Sequence, residues 1–579
     1  MRNLITFNRS PLIKARRTMD RSTIVMVLIS IAFFSCIARA FWIQVYDNAF
    51  YVKQGDVRTE HVVVVHAARG QIVDRQGLIL ATSVPVKAVW ADPKEMRLPP
   101  QNQEAFAMLA QRLGVTPGQI ESRVARTSSF VYLKHQLPDA TADAIEALHV
   151  EGIHESPEFR RYYPEGDIAA PLIGFTGIDG AGEDGLELSE EKLLGAVDGS
   201  KLVIQDRFGH LVRDLGYVEV PRWGTTVQIT IDSKIQYSAY SALRQTVDET
   251  HAESGSAIVV DGRTGEILAL ANYPSFDPND RATMTGSRIR NVAVTDVFEP
   301  GSIMKPFTVA LALDLHRVTP TSLVETNRQL VLDGARITDD ANFGTLTVAG
   351  VIQKSSNIGA TKIALTMQPR QMWEMFHALG FGQQPKLVFP GAGTGILRPW
   401  QRWRRVEQAT MSYGYGISAS LLQLAQAYTV FSDDGCMLPL TLLKGSTPSV
   451  DKACVFSPQT ADAIRQMLET VTRKGGTAPL VQLSGYSAGG KTGTAYTATP
   501  HGYNHSEYRA SFVGIVPIRN PRLVVAVSIN RPQGARHFGG DVSGPPFARI
   551  AQQAMQELNI EPDEGIEAKP GAWADKPNS

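Results

Sequence analysis

The first long apolar stretch of the chain lies near its N-terminus. Ser22 to Ala38 carries no charge and is bracketed by Arg21 and Arg39, and Phe41, Trp42, Ile43 and Val45 continue its apolar character. Counted to Val45, it approaches the roughly 20 residues that cross a bilayer as a helix. Residues 22–45 are therefore expected to be a membrane anchor. Ahead of them stand Arg2, Arg9, Lys14, Arg16, Arg17 and Arg21 against Asp20 alone, which assigns residues 1–21 to a cytoplasmic tail and everything after Trp42 to the exported side. Ala38-Arg-Ala40 has the small-x-small form of a signal cleavage site, but the run is long for a signal peptide, and an uncleaved anchor is the preferred reading.

Beyond the anchor the pattern shortens. Residues 46–223 mix strand-like runs such as His61 to His66 with helical ones such as Glu104 to Leu113, a module without a catalytic constellation. Glu183-Asp184 lies between glycines and reads as a turn; Arg69, Arg75 and Glu187 read as an internal salt-bridge network. A second domain, residues 224–558, is expected to open on a strand, because Thr225 to Ile231 alternates. A hairpin follows, Ser256 to Val260 and Glu266 to Leu270, around Asp261-Gly-Arg-Thr-Gly265. Two late strands, Ala510 to Val516 and Leu523 to Ile529, can pair with the one carrying Lys491. Helical segments fill the middle, including Phe307 to Leu313 and Ser420 to Phe431, with Phe307, Leu311 and Leu315 as a core stripe. Strands from both ends of a domain around central helices predict an α+β fold, one antiparallel sheet with a helical lobe. Residues 559–579, rich in Pro, Asp, Glu and Lys from Pro562 on, are expected to be a disordered tail.

Composition narrows the function. The 579 residues hold 57 Lys and Arg against 57 Asp and Glu, a balance that leaves no electrostatic footprint for nucleic acid. Arg398, Arg402, Arg404 and Arg405, interleaved with Trp400 and Trp403, are accordingly read as a solvated face. His501 and His505, with Glu507 close by, have a spacing seen in metal sites, but Gly502 and Asn504 favour a mobile loop. No cofactor and no metal site is expected. The three cysteines make no disulfide framework. Cys36 lies in the anchor, whereas Cys436 and Cys454 are nearly symmetric about Gly445-Ser-Thr-Pro-Ser449, with Met437 to Leu443 and Lys452 to Phe456 as possible hairpin arms. A bridge needs their Cα atoms within roughly 7 Å. Two free, buried thiols are the alternative, and the sequence leaves both open.

The chemistry concentrates in three short motifs: Ser302-Ile-Met-Lys305, Ser355-Ser-Asn357 and Lys491-Thr-Gly-Thr494. Glu299-Pro300-Gly301 breaks the chain just before Ser302, and an apolar helix follows to the stop at Thr319-Pro320. Pro306 fits the first turn of that helix, whose amides have no intrahelical partner. Lys305, three residues on, shares a face with Ser302. Beside so apolar a helix its amine loses charge by desolvation, and a neutral amine can take the serine proton. The other Ser-x-x-Lys matches lack this setting: Ser189 precedes Glu190 and Glu191, and Ser449 lies in a polar turn. Gly485 to Thr492 matches the nucleotide pattern G-x-x-x-x-G-K-[ST], but Ala495 to Tyr503 continues as a β-prone run broken by Pro500 and Gly502, so no helix N-terminus follows to hold a phosphate. The fitting alternative is a strand at a cleft edge, with Gly493 admitting close approach of a ligand and the hydroxyls of Thr492 and Thr494 facing a carboxylate.

In this order and spacing the motifs resemble those of a penicillin-binding protein. Arg290 to Ser302, Tyr413-Gly-Tyr-Gly416 and Phe538 to Ser543 are similar to stretches of the class B enzymes that build the division septum, and Arg69 to Arg75 and Gly185-Leu-Glu187 resemble that class's non-catalytic module. The resemblance implies a transpeptidase domain of the penicillin-binding and serine β-lactamase type on a non-catalytic pedestal. It implies an inner-membrane, single-pass protein whose catalytic domain is periplasmic. Ser302 would attack the bond between two D-alanines of a peptidoglycan stem peptide with Lys305 as base. Ser355 and Lys491 would carry the leaving-group proton, Asn357 would orient Lys305 and the substrate amide, and Thr492 and Thr494 would hold the terminal carboxylate. Backbone amides of Ser302 and Thr494 would form the oxyanion hole. Implied partners are stem peptides, β-lactam antibiotics and divisome membrane proteins, including the septal glycan polymerase. Asn357 favours the septal over the elongation-specific type, which usually has Asp there. A β-lactamase needs an acid to activate water, and Met375 to Val406 contains no Asp or Glu. A membrane-anchored β-lactam receptor predicts several spans or a cytoplasmic effector domain, and neither is read in this chain.

Overall fold

The computed structural model describes residues 19–96, 100, 102–127, 130–205, 211–327, 329–445, 452–499, 502–534 and 536–565. Contacts divide the chain into two compact units, Met1–Ala67 with Val197–Arg222, and Ala68–Ala196 with Trp223–Ser579.

In the first unit the helix Met19–Phe41 runs into a π-turn, Trp42–Tyr46, and together Arg21–Tyr46 make a span long and apolar enough to cross a membrane. Trp42 stacks on Tyr46 and donates to Asp47, the polar anchoring expected where an apolar span meets an interface. After the helix Asn48–Thr59, the strand Glu60–Val65 pairs antiparallel with Gly199–Gln205, which pairs in turn with Leu211–Glu219.

Two five-stranded sheets frame the second unit. In the first, the long strand Ile79–Ala91 lies between Val131–Leu137 and Ile72–Val73 and also pairs with Ile153–Tyr162. The helices Gln103–Leu113, Pro117–Ala125 and Asp139–Glu146 bury Phe106, Leu109, Ile120 and Ile145 against its Val89 and Leu133. Glu187, fully buried, receives Arg69 at 2.6 Å and Arg161 at 2.7 Å, while Glu191 takes a second arm of Arg69. Arg75 stands apart from this network and faces Glu266 at 3.5 Å.

Thr225 to Ile231 does not start the catalytic sheet as its alternation suggested. Only Val227–Gln228 is a strand, and it pairs parallel with Ile72–Val73 in the first sheet. Val227, Ile229 and Ile231 are all buried, but so is Thr230, and the backbone bonds run from Ile229 N to Val73 O and from Thr230 N to Leu442 O. Period-two burial identifies an inward face without naming the sheet that faces it.

The second sheet is antiparallel throughout, in the spatial order Ile267–Tyr273, Ser254–Asp261, Leu523–Asn530, Gly502–Val516, Gly489–Thr499. Every residue from Gly255 to Asp261 and from Leu523 to Ile529 is buried, so helices must cover both faces of the central strands. Ser233–Thr250 and Gly544–Glu557 pack on each other and on this sheet; Leu421–Tyr428, Pro458–Thr472 and Lys305–Asp314 belong to the helical lobe, with Val348–Lys354 and Asn357–Ala364 packed against them. Gly502–Val516 being a strand corrects the expectation of a mobile loop there. Cross-strand pairing with Gly489–Thr499 carries it, and Glu507 is spent on Arg531 at 2.8 Å. His501 lies outside the described residues.

Cys436 and Cys454 are bridged. They sit opposite each other in the two-residue strands Cys436–Met437 and Ala453–Cys454, with Cα atoms 3.7 Å apart. The hairpin register was right but its arms are shorter than expected, and 446–451 lie outside the described residues. The tail also begins later than composition suggested. Tyr486 donates to Ile560 O, Asp563 accepts from Ser487 N at 2.7 Å, and Glu564 pairs with Arg473 and Arg519. The acidic residues that signalled disorder hold the chain to the sheet's edge instead; 566–579 lie outside the described residues.

Candidate active site

The turn before Ser302 is fixed by two glycines. Gly301 has φ 58° and donates its N–H to Gly414 O, and a Cβ on Gly414 would lie 2.0 Å from Gly301 O. Only glycine permits both the left-handed backbone and the approach. A 3₁₀ turn, Gly301–Met304, leads into the helix Lys305–Asp314, with Pro306 in its first turn. Tyr428, buried in the lobe, donates to Ile303 O at 2.9 Å, and Phe307 stacks on Phe431. The helix stops earlier than Thr319, because His316 turns left-handed at φ 52° and the Arg317 N–H returns to Ala312 O at 2.8 Å; Asp314, its last residue, accepts from Ser457 and Thr460 at the start of the helix Pro458–Thr472.

Lys305 is wholly buried. Its Nζ lies 2.9 Å from Ser302 Oγ, 3.1 Å from Ser355 Oγ, 2.8 Å from Asn357 Oδ1 and 2.5 Å from Ser355 O. Burial pulls its pKa down to about 7, with Asp339 and Asp340 pulling weakly the other way. An amine poised there can hold or release a proton at neutral pH. Lys491 is equally buried, 2.9 Å from Ser355 Oγ, and burial together with the nearby Lys305 charge holds its pKa far below that of a free lysine. Ser302, Lys305, Ser355 and Lys491 thus form one unbroken chain of proton-exchanging atoms.

Ser355 ends the helix Val348–Lys354 at φ 58°, a left-handed conformation unusual for a side chain of this kind. That turn aims its hydroxyl between the two amines. Ser356 then caps the helix Asn357–Ala364 through Gly359 N. Asp339 holds the whole motif: it accepts from Ser356 Oγ and Asn357 N at 2.5 Å each and from Ile358 N at 3.0 Å. Asn357 Nδ2 donates to Thr338 O, which leaves Oδ1 facing Lys305. The sequence reading missed Asp339, 18 residues from Asn357. Its only local signal is the Asp339-Asp340 pair ahead of a Ser-x-Asn motif.

Lys491 to Thr494 lie on Gly489–Thr499, an outer strand of the sheet as expected for a cleft edge, and no helix follows them. A Cβ on Gly493 would meet Pro300 O at 2.8 Å and Ile303 at 2.9 Å. In this structure the glycine therefore seats the strand against the nucleophile turn. Thr494 accepts from Gly539 N at 3.0 Å and keeps its own hydroxyl hydrogen for another acceptor. Thr492 is nearly buried, between Thr477 Oγ1 at 3.0 Å and Lys491 Nζ at 3.2 Å. Thr477 is a second contributor that sequence reasoning did not mark.

A serine, two desolvated lysines and a relay hydroxyl thus converge from three separate motifs, and the chain that carries them is similar to known proteins. Residues 255–555 match the penicillin-binding protein transpeptidase domain. The chain belongs to the penicillin-binding proteins. Residues 64–229 match the dimerisation domain of the same proteins, a span that holds Arg69, Arg161 and Glu187 and ends on the Val227–Gln228 strand. A probable peptidoglycan D,D-transpeptidase of Neisseria meningitidis, PenA, is 37% identical over 551 residues, 95% of this chain and 94% of its own. The peptidoglycan D,D-transpeptidase FtsI of Escherichia coli is 37% identical over 541 residues, 93% of this chain and 91% of its own. Among solved structures, the transpeptidase domain of penicillin-binding protein 3 from Burkholderia pseudomallei is 56% identical, covers 58% of this chain and 97% of that one, and superposes with a TM-score of 0.53.

Proposed function

We propose that this penicillin-binding protein is the septal peptidoglycan D,D-transpeptidase of its cell, crosslinking stem peptides through an acyl-enzyme on Ser302. The observation that carries the reading is the network around Lys305 Nζ, which joins Ser302, Ser355 and Asn357 within 3.1 Å. The neutral Lys305 amine takes the Ser302 proton as Oγ attacks the carbonyl between two D-alanines. The tetrahedral oxyanion rests on the Ser302 and Thr494 amides. Lys491 and Ser355 pass a proton to the departing D-alanine, whose carboxylate is held by Thr492 and Thr494 on either side of Gly493. The amine of a second stem peptide then displaces Ser302 and completes the crosslink. A β-lactam, an amide carrying a carboxylate in the same relation, enters the first half of this sequence and acylates Ser302.

The remaining assignments follow from position. Residues 22–45 anchor the protein in the inner membrane with 1–21 in the cytoplasm. Residues 46 to about 231 serve as a pedestal and docking surface for divisome membrane proteins, including the septal glycan polymerase, and the chain from Ser233 to about Glu564 acts in the periplasm as the transpeptidase. The septal role is tested by depleting the protein from its own cells. Long undivided filaments are expected, and rounded cells that still divide would assign it to elongation instead.

A further inference from the structure

Crosslinking joins two stem peptides of one kind, so a donor stem carries the same amine that an acceptor uses and brings it, still charged, to the catalytic site. Asp340 is placed to meet it. Asn357 fixes the neighbourhood: its Oδ1 and the Ser302 Oγ lie 2.8 and 2.9 Å from the same Lys305 Nζ, its Nδ2 donates to Thr338 O at 3.0 Å and its N–H to Asp339 Oδ1 at 2.5 Å. Asp340 is the next residue along. Consecutive Cα atoms are about 3.8 Å apart, so its Cα lies one such step from a residue bonded to Asn357. The two carboxylates divide in role. Asp339 is spent on Ser356, Asn357 and Ile358, whereas Asp340 is exposed and has no hydrogen-bond or ion-pair partner among the described residues. Burial is the largest influence on Lys305, Lys491, Tyr415 and Tyr496, lowering the amines and raising the phenols, and the Asp340 charge acts on all four as well, in the raising direction. Lys305 opens the helix Lys305–Asp314, Lys491 and Tyr496 share the strand Gly489–Thr499, and Tyr415 follows the helix Arg405–Met411. A carboxylate felt on all these sides stands over the space between them, where Ser302, Asn357 and Thr494 are each partly exposed.

Resting on the transpeptidase reading, we propose that Asp340 is a specificity-determining residue for the first half-reaction: its exposed carboxylate receives an ammonium group that the acyl donor carries beyond the amide held at Asn357. The substrate class is a donor stem with a free amine on the residue before the two D-alanines. Among β-lactams it is those with a cationic substituent beside the side-chain carbonyl. A carboxylate in the same place is repelled, so one fixed charge both selects and rejects. No bond forms or breaks at Asp340. Its charge lies at the rim, where salt reaches it, and the preference weakens as ionic strength rises.

The test uses the full chain in detergent and three penicillins that differ at the carbon beside the side-chain carbonyl: ampicillin carries an amine there, benzylpenicillin a hydrogen and carbenicillin a carboxylate. Work at about pH 6.5 keeps that amine charged. Second-order acylation of Ser302 is followed by stopped flow with no acceptor present, so a charge effect belongs to the donor and not to an attacking amine. Asp340→Asn also changes the field at Lys305, but identically for the three compounds, and rates are therefore read as ratios to benzylpenicillin. In Asp340→Asn the ampicillin ratio is expected to fall about fivefold and the carbenicillin ratio to rise about threefold, while Asp340→Glu, which keeps the charge, stays near wild type in both. Ratios that do not move in Asp340→Asn, ratios that move the same way for ampicillin and carbenicillin, or an Asp340→Glu that behaves like Asp340→Asn overturns the assignment and leaves the transpeptidase reading standing. A wild-type protein that takes no penicillin on Ser302 overturns that reading, and this inference with it.

Discussion

Lys305 is useful because water cannot reach it. A free lysine near 10.4 is almost wholly charged at neutral pH and has no lone pair to offer, whereas a pKa of about 7 leaves a large neutral fraction. The acylation rate should therefore fall as pH drops through about 7 and level off above it, because protonation of the Lys305 amine removes the base. Lys305→Ala should remove that limb together with several orders of magnitude of rate, since nucleophile and base act as a unit. Stopped-flow acylation by a chromogenic β-lactam from pH 5 to 9 measures both, and a flat wild-type profile would exclude the amine as base. Asp339 gives a second prediction at this scale. It caps the helix Asn357–Ala364 and fixes Ser356 and Asn357, so Asp339→Ala should cost about 1–2 kcal/mol of stability. Acylation should fall at least tenfold with it, because Asn357 loses its orientation toward Lys305. Thermal melts and the same acylation assay report the two effects separately. Ser302 and Lys305 were legible in the sequence because their relation is local, set by a helix start and three residues of spacing. Asp339, Arg161 and Thr477 were not, because each acts across a fold that the sequence does not spell out.

The elements tell the same story with one inversion. The hairpin Ser254–Asp261 to Ile267–Tyr273 and the strand Leu523–Asn530 were readable from alternation and turn residues. Thr225 to Ile231 carried an equally clear alternation but belongs to another sheet, since its partner Ile72–Val73 lies some 150 residues back in the chain. The acidic tail segment misled for a related reason: Asp563 and Glu564 have specific partners in Ser487, Arg473 and Arg519, which composition cannot reveal. The cysteine hairpin makes the element-scale prediction. Cys436 and Cys454, 18 residues apart, close a loop whose constraint on the unfolded chain is worth about 3 kcal/mol. Phe456, two residues beyond, stacks on Phe431, which stacks on Phe307 in the nucleophile helix. Cys436→Ser should lower the melting temperature of the oxidised protein by several degrees while acylation persists, as the bridge lies outside the Lys305 network. Non-reducing peptide mapping of wild type should recover the two cysteines in one linked peptide; two separately alkylated thiols would contradict the pairing.

At the scale of the molecule, a penicillin-binding protein dimerisation domain and a transpeptidase domain share one chain. The catalytic domain prepares acylation thoroughly, with two buried amines and a relay hydroxyl, but Met375 to Val406 supplies no acid with which to activate water. The covalent intermediate should then wait for an amine, and in its absence persist. That combination separates a transpeptidase from a β-lactamase built on the same chemistry. The most direct measurement incubates the purified protein with a fluorescent penicillin and follows the label and the intact mass over time, in wild type and Ser302→Ala. One stoichiometric adduct is expected on the Ser302 peptide, stable far beyond the time of a β-lactamase turnover, and no adduct in Ser302→Ala. An unlabelled wild type, a label on another residue, or rapid recovery of free Ser302 would contradict it.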